Sequence, residues 1–282
     1  MLKKLISHGL FLARNHPQVL DRWGYHIRPI HYYEPIPDFR SITSEQLERR
    51  REFSSIDFRW DYQLRLLHEL ATQYRDELRN KDFENDYFNG FDAAVYYSLI
   101  RHLRPRRVIE IGSGYSTRFA RRALTSNEDG GILTCIEPHP ERLNGPGLNI
   151  ELIQKPVEQI HVEFFLQLEA NDILFIDSSH TVKFGSDVCY AFLDVLPIIK
   201  PGVWVHVHDI FFPHDYPAEW LLKRRLALNE QYLLEAFLSF NREFQVELAN
   251  HWLTLDHNSA VQELWPAESS SSSFWFSRRD ER

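Results

Sequence analysis

The 282 residues carry 32 Lys and Arg against 40 Asp and Glu, a formal charge of −8, with 43% hydrophobic and 14% aromatic content. That is ample apolar material for one α/β core plus an added segment. No Lys/Arg stripe alternates with aromatics, so nucleic acid is excluded as a main partner and a small-molecule or sugar partner is expected; self-association is left open.

The amino end, Met1-Leu2-Lys3-Lys4 followed by Leu5 to Ala13, faintly mimics a signal peptide, but His8 and Arg14 interrupt it and no small-residue cleavage site follows. The expectation is a cytoplasmic protein with no transmembrane span and no stable membrane insertion. From Tyr25 to Pro37, three prolines among aromatics forbid regular structure and give an extended arm. Thr43 to Arg79 reads as helical, with Thr43 or Ser44 as N-cap and an apolar stripe at Phe58, Tyr62, Leu66, Leu67 and Leu70. Residues 1–80 therefore read as an aromatic arm and helical cap, either covering a substrate or simply packed on a sheet, and residues 81–282 as the main domain.

Asn85 to Leu103 is an aromatic-rich helix carrying Asp92, a surface residue or a carboxylate near a ligand's amino group. Then comes the most telling stretch, Arg-Val-Ile-Glu-Ile-Gly-Ser-Gly-Tyr-Ser-Thr at 107–117: a short apolar strand, a carboxylate, two glycines and a helical run. Such a junction is where a doubly wound sheet binds its ligand. Gly112 and Gly114 allow a sharp turn and close approach, since a β-carbon at either point would occupy the ligand's space. Thr117 replaces the third glycine of the dinucleotide pattern, and Glu110 would repel a pyrophosphate. S-adenosyl-L-methionine, with an ammonium, a sulfonium and no phosphate, suits that carboxylate directly or through water.

A second apolar run, Ile132 to Ile136, ends at Glu137, one βα unit on, where it could accept both ribose hydroxyls. A third strand is expected over Asn149 to Val157, a helix over Val157 to Leu168, and a fourth strand over Asp172 to Asp177. Ser186 to Ile199 follows as a helix, then Lys200-Pro201-Gly202 as a break, and Val203 to His208 as the fifth strand. Beyond these, Glu230 to Phe240 reads as a helix, Phe244 to Ala249 and Ser273 to Ser277 as strands, and the serine run 269–273 as loop. Cys135 and Cys189 each lie inside an apolar run and give no disulfide framework.

Glu110-Ile111-Gly112-Ser113-Gly114-Tyr115-Ser116-Thr117, Glu137 and Phe175-Ile176-Asp177-Ser178-Ser179-His180 make residues 85–278 resemble the class I S-adenosylmethionine-dependent methyltransferases. Asp177-Ser178-Ser179-His180 with Val205-His206-Val207-His208-Asp209-Ile210 resembles the bacterial branch near macrocin-type O-methyltransferases and cephalosporin-hydroxylase-like proteins. The resemblance implies an α/β, Rossmann-like doubly wound sheet of seven strands in order 3-2-1-4-5-7-6, the last strand antiparallel. It implies that Glu110, Gly112, Ser113, Gly114, Tyr115, Ser116, Thr117, Glu137, Val157 and Asp177 bind the cofactor, with the adenine near Pro156 and Val157. Metal-dependent relatives use carboxylates after the fourth and fifth strands, matching Asp177 and Asp209 as ligands for Mg2+. No third ligand is identifiable, and the loop Phe211 to Trp220 offers His214 or Asp215.

Titratable residues gather after the fourth and fifth strands: Asp177, His180, His206, His208 and Asp209. Methyl transfer to a hydroxyl needs an in-line approach and a base, so His208 or His180 is the expected base, with Asp177 or Asp209 orienting it. Strand periodicity puts Trp204, His206 and His208 on one face, and His206 reads as a hydrogen-bonded histidine packed under a helix. The expected activity is O-methylation of a small hydroxylated metabolite or sugar. The alternatives are a non-catalytic cofactor-fold scaffold in glycan or envelope assembly, and an NAD(P)-dependent oxidoreductase, against which Thr117 and Glu110 argue.

Overall fold

The computed structural model describes residues 9–12, 15–79, 85, 87–128, 130–143, 148–267 and 271–279. Most of the amphipathic start and the first residues of the serine run lie outside the described residues. The chain divides into two compact units, 1–47 with 218–227, and 48–217 with 228–282.

In the first unit, α1 (Pro17–Asp21) opens with a proline, whose missing N–H costs nothing there. Beyond it the backbone through Tyr25–Pro37 is irregular, as its prolines dictate, and Tyr32 and Tyr33 are strongly exposed. Asp38 holds the Arg40 guanidinium through both carboxylate oxygens at 2.9 and 2.8 Å. Thr43 caps α2 (Ser44–Glu48), its hydroxyl accepting from the Gln46 N–H at 3.2 Å while Gln46 Oε1 accepts from the Thr43 N–H at 2.9 Å. The Arg225 guanidinium lies 4.6 Å from the Phe39 ring centre, joining 218–227 to this unit.

The second unit begins earlier than residue 80. The helix expected from Thr43 to Arg79 is broken: residues 49–59 are irregular, and α3 runs Trp60–Arg79. Aromatic packing explains the break, because Phe58 sets its ring 5.3 Å from Trp60 and 4.7 Å from Trp252, which a continuous helix could not do. Leu66, Leu67 and Leu70 of α3 then join the core with residues of α4 (Gly90–Leu103), so residues 48–79 are part of the sheet-bearing body.

That body is built on β1 (Arg107–Ile111), β2 (Ile132–Ile136), β3 (Glu151–Ile153), β4 (Ile173–Ile176), β5 (Trp204–Val207), β6 (Phe244–Ala249) and β7 (Phe274–Arg278), in order β3-β2-β1-β4-β5-β7-β6. The first five are parallel, and β7 is antiparallel to both β5 and β6. This is the expected Rossmann-like α/β sheet. The connections include α5 (Tyr115–Ser126) and α6 (Asp187–Tyr190), which continues as a π-helical stretch to Val195. Ser186 caps α6 by accepting from the Cys189 N–H at 3.2 Å. The helix expected over 157–168 is two short 3-10 turns, Val157–Gln159 and Val162–Gln167. After β5 come α7 (Glu230–Leu238), α8 (Asn250–Asp256) and α9 (Asn258–Leu264), of which the last two were not foreseen.

Strand alternation splits the core in two. Val108, Leu133, Cys135, Phe175 and Trp275 face a cluster with α3, α4 and α5, while Ile109, Ile111, Ile176, Val205 and Phe276 face the other side. Glu110 shares the parity of Val108 and is carried to the first side. Among the described residues no helix is long and apolar enough to cross a membrane.

Candidate active site

At the end of β1, Gly112 takes φ +79°, and a β-carbon there would lie 1.8 Å from the Asp177 carbonyl oxygen. The glycine is required by the β4 end, with Asp177 N–H donating to Ile111 O at 2.9 Å. Gly114 differs: its φ is 179°, and an added β-carbon would meet only the Arg142 stem at 3.9 Å. The ligand-space argument therefore fails for Gly112, whose constraint is backbone against backbone, and the protein itself imposes none at Gly114.

Glu110 lies beneath this turn rather than in it. Fully buried, it accepts from Tyr96 Oη at 3.0 Å and from Thr117 Oγ1 at 2.5 Å, and Thr117 Oγ1 in turn accepts from the Gly114 N–H at 3.0 Å. Burial pushes its carboxyl up to about 7, against the opposing donors Thr117 and Tyr96. Direct contact with a bound ligand, expected from the charge argument, is not available to it; its effect on the loop runs through Thr117. Glu137, one residue past β2, is half-buried and accepts from the Ser113 N–H at 3.2 Å and the His139 N–H at 2.7 Å. Tyr115 is half-buried, its ring 5.4 Å from Tyr87 and nearly parallel. Ser113 is half-buried, Ser116 is buried, and Val157 is buried in the core cluster that contains Ile136.

Around the corner from Gly112 the titratable residues converge. His180, at φ +54°, sets Nε2 at 3.3 Å from Asp177 Oδ1 and 3.3 Å from Asp209 Oδ2, and Nδ1 at 2.8 Å from Glu230 Oε2. Its turn is fastened on both sides. Ser179 bonds Asp187 of α6 through its N–H at 2.7 Å and hydroxyl at 2.6 Å, and His180 O accepts from the Asn229 and Glu230 N–H groups at the start of α7.

His208 follows β5, its N–H donating to Ile176 O at 3.0 Å. Its Nδ1 lies 3.4 Å from Asp209 Oδ1 and 3.7 Å from Asp177 Oδ1, and Nε2 lies 3.7 Å from Asp92 Oδ2 and 3.4 Å from Ser272 Oγ. Adjacent strand residues point to opposite faces, so His208 and Asp209 meet only because the strand stops and Asp209 turns to φ +58°. Asp92 is buried and accepts from Asn250 Nδ2 at 2.8 Å, Ser271 Oγ at 2.5 Å, Ser272 N–H at 2.7 Å and Ser273 N–H at 3.2 Å. Burial, which favours protonation, is outweighed there by His208 and these donors, and the carboxyl is held at about 2.

For both histidines burial favours the neutral ring, and the surrounding carboxylates win. His180 is raised well above the ordinary range by Asp177, Glu230 and Asp209, and His208 by Asp209, Asp177 and Asp92. Glu230, fully buried on α7, sets Oε2 against His180, and among the described residues its Oε1 has no hydrogen-bond partner. His206 is separate: it packs 4.0 Å from the Phe175 ring, bonds Ser273 Oγ at 2.8 Å and is driven well below the ordinary range by burial, as a packed neutral ring would be. His214 and Asp215 turn elsewhere, towards Arg49 O at 3.3 Å and the Arg51 guanidinium at 3.6 Å. Sequence reasoning missed Glu230 and the 271–273 turn.

Residues 109–210 match the profile of a family described as a methyltransferase domain, spanning the glycine turn, Glu137, Asp177, His180, His208 and Asp209 on the expected strand order. The chain carries a methyltransferase domain over residues 109–210. This methyltransferase is 32% identical over 195 residues to an uncharacterized protein of Archaeoglobus fulgidus, covering 61% of this chain and 86% of that one. Among solved structures it is similar to the O-methyltransferase TomG from Streptomyces achromogenes, involved in tomaymycin synthesis and solved with S-adenosylmethionine, at 15% identity over 76% of this chain and 90% of that one, TM-score 0.43. It is also similar to CmcI, at 17% identity over 91% of each chain, TM-score 0.45. Likeness this distant carries no argument about the acceptor.

Proposed function

We propose that this methyltransferase moves the methyl group of S-adenosyl-L-methionine to a hydroxyl oxygen of a small hydroxylated metabolite or sugar. One observation carries the reading: Asp177 lies with its main chain against Gly112 of the cofactor turn and its side chain beside His180 and His208. A methyl donor seated on that turn and a proton acceptor for the incoming hydroxyl then lie on either side of one residue, as in-line displacement requires.

Glu137 is the ribose ligand in this reading, its carboxylate held beside the turn by Ser113, and Ser113 to Thr117 line the methionine end. His208 is the base. Asp92, fixed by four donors, faces its Nε2 and leaves Nδ1 turned to the site, the arrangement of an oriented general base. Asp177 and Asp209 are the residues that would hold a divalent cation, and their geometry fits one, because Asp177 Oδ1 and Asp209 Oδ2 each approach His180 Nε2 to 3.3 Å. When bound, such an ion supplies Lewis acidity that lowers the acceptor hydroxyl's pKa.

The test is calorimetric titration with S-adenosylmethionine, S-adenosylhomocysteine and NADH, followed by transfer of labelled methyl to a panel of hydroxylated acceptors. Binding of both sulfur nucleosides with methylation of an oxygen is the expected result. NADH bound with neither sulfur nucleoside rejects the reading, and nucleoside binding without transfer to any acceptor favours the scaffold. In the same assays His208→Ala keeps cofactor affinity and lowers kcat by about 10²–10⁴-fold.

A further inference from the structure

We infer that His180 is a metal ligand and Glu230 the carboxylate that orients it, so that the cation site is a nitrogen–oxygen site for a transition ion such as Mn2+, Fe2+ or Co2+ rather than the all-oxygen site that Mg2+ prefers. The inference rests on the cation proposed above and not on the identity of the acceptor.

The geometry starts from three donor atoms. Asp177 Oδ1, His180 Nε2 and Asp209 Oδ2 all lie within 4.8 Å of one another, and the two oxygens are each 3.3 Å from the nitrogen. Ligands about 2.1 Å from a shared ion stand about 3.0 Å apart when cis in an octahedron and about 3.4 Å apart in a tetrahedron. The two nitrogen–oxygen spacings of 3.3 Å lie between these. Three acceptor atoms pointed at one spot repel unless positive charge sits among them or beside them, as a proton on Nε2, a protonated His208 ring 3.7 Å from Asp177 Oδ1, or a cation.

Glu230 is the second, independent element. It comes from α7, 50 residues on in sequence, is fully buried and places Oε2 2.8 Å from His180 Nδ1. A carboxylate on Nδ1 keeps the proton there, leaves Nε2 with its lone pair facing Asp177 and Asp209, and increases its basicity; histidine ligands to metals are held this way. Burying a carboxylate to orient a ring is costly, and one oxygen of Glu230 has no hydrogen-bond partner among the described residues. Magnesium demands oxygen and keeps its waters, whereas imidazole with carboxylates suits Mn2+, Fe2+, Co2+ and Zn2+.

The full chain, stripped of metal, is titrated with MnCl2, CoCl2 and MgCl2 by calorimetry. Pulsed electron paramagnetic resonance of the Mn2+ complex reads coordinated nitrogen, and S-adenosylhomocysteine affinity is measured in parallel. The expected result is one Mn2+ or Co2+ bound with a 14N coupling. In His180→Ala that coupling disappears and Co2+ affinity falls at least tenfold while Mg2+ affinity is little changed. Glu230→Gln weakens Co2+ 10–100-fold without touching a ligand atom. His180→Asp, which restores an oxygen, shifts the preference towards Mg2+ and guards against a folding defect in the alanine variant, with circular dichroism confirming the fold of each.

Failure to bind any divalent ion while S-adenosylhomocysteine still binds overturns the inference and leaves the methyltransferase reading standing; it means a proton holds the three donors together. Mn2+ bound without nitrogen coupling, or Co2+ affinity indifferent to His180→Ala, overturns it as well. Loss of S-adenosylhomocysteine binding in the unmodified chain is the separate outcome that strikes at the function itself.

Discussion

Glu110 and Asp92 are both buried carboxylates in the same body, and their environments drive them in opposite directions. Glu110 receives two neutral hydroxyls, from Tyr96 and Thr117, and sits at about 7. Asp92 receives Asn250, the Ser271 hydroxyl and two backbone N–H groups, faces the His208 ring, and sits at about 2. Burial is the largest influence on each and raises both; what separates them is the number of donors and a cation within reach. One carboxylate therefore titrates near neutral pH beneath the glycine turn, and the other is a permanent anion behind a histidine.

The comparison is broken hardest by Asp92→Ala. It strands four donors and one face of His208, and is expected to cost about 3–5 kcal/mol in urea unfolding at pH 7. A loss below about 1 kcal/mol would mean that the donors find other partners. At unchanged sequence, Asp92 contributes stability present above pH 3.8 and lost as pH falls towards 2, because its folded pKa is depressed.

Glu110→Gln sharpens the other side. The folded pKa of Glu110 is raised from 4.5 to about 7, so its contribution is full below pH 4.5 and is lost as pH climbs to about 7. Replacing it is expected to stabilise the protein by about 2 kcal/mol at pH 8 and to flatten the pH dependence between 5 and 7, as read by unfolding at each pH. An unchanged slope would show that Glu110 is ionised when folded. Smallest is Tyr96→Phe, which removes one donor, costs about 1 kcal/mol and moves the Glu110 midpoint further up; a midpoint that stays put would show that the Tyr96 hydroxyl does not act on it.

Legibility in the sequence followed distance along the chain. Glu110 to Thr117, Glu137, Asp177, His180 and Asp209 stand at strand ends that hydrophobic runs mark locally, and the seven-strand order followed from the resemblance they carry. The sign of its charge points Glu110 at the ligand, whereas its parity with Val108 on β1 points it at the helices. Glu230 reaches His180 across 50 residues, and Ser271 to Ser273 reach Asp92 across about 180, set by helix docking and by the register of an antiparallel pair that no local pattern encodes. The helix expected over 49–59 gave way to aromatic packing for the same reason: Trp252, its partner, is distant in sequence.

The strand β7 slots between β5 and β6, and the turn just before it supplies three of the four hydrogen bonds to Asp92. During folding, the parallel half of the sheet can assemble from neighbouring βα units, but this insertion pairs β7 with β5 some 70 residues back and docks its turn on Asp92 some 180 residues back, and belongs among the slow, late events. A nascent chain would thus own its glycine turn before it owned a histidine held by Asp92, and the second would arrive with the zipping of a single ribbon.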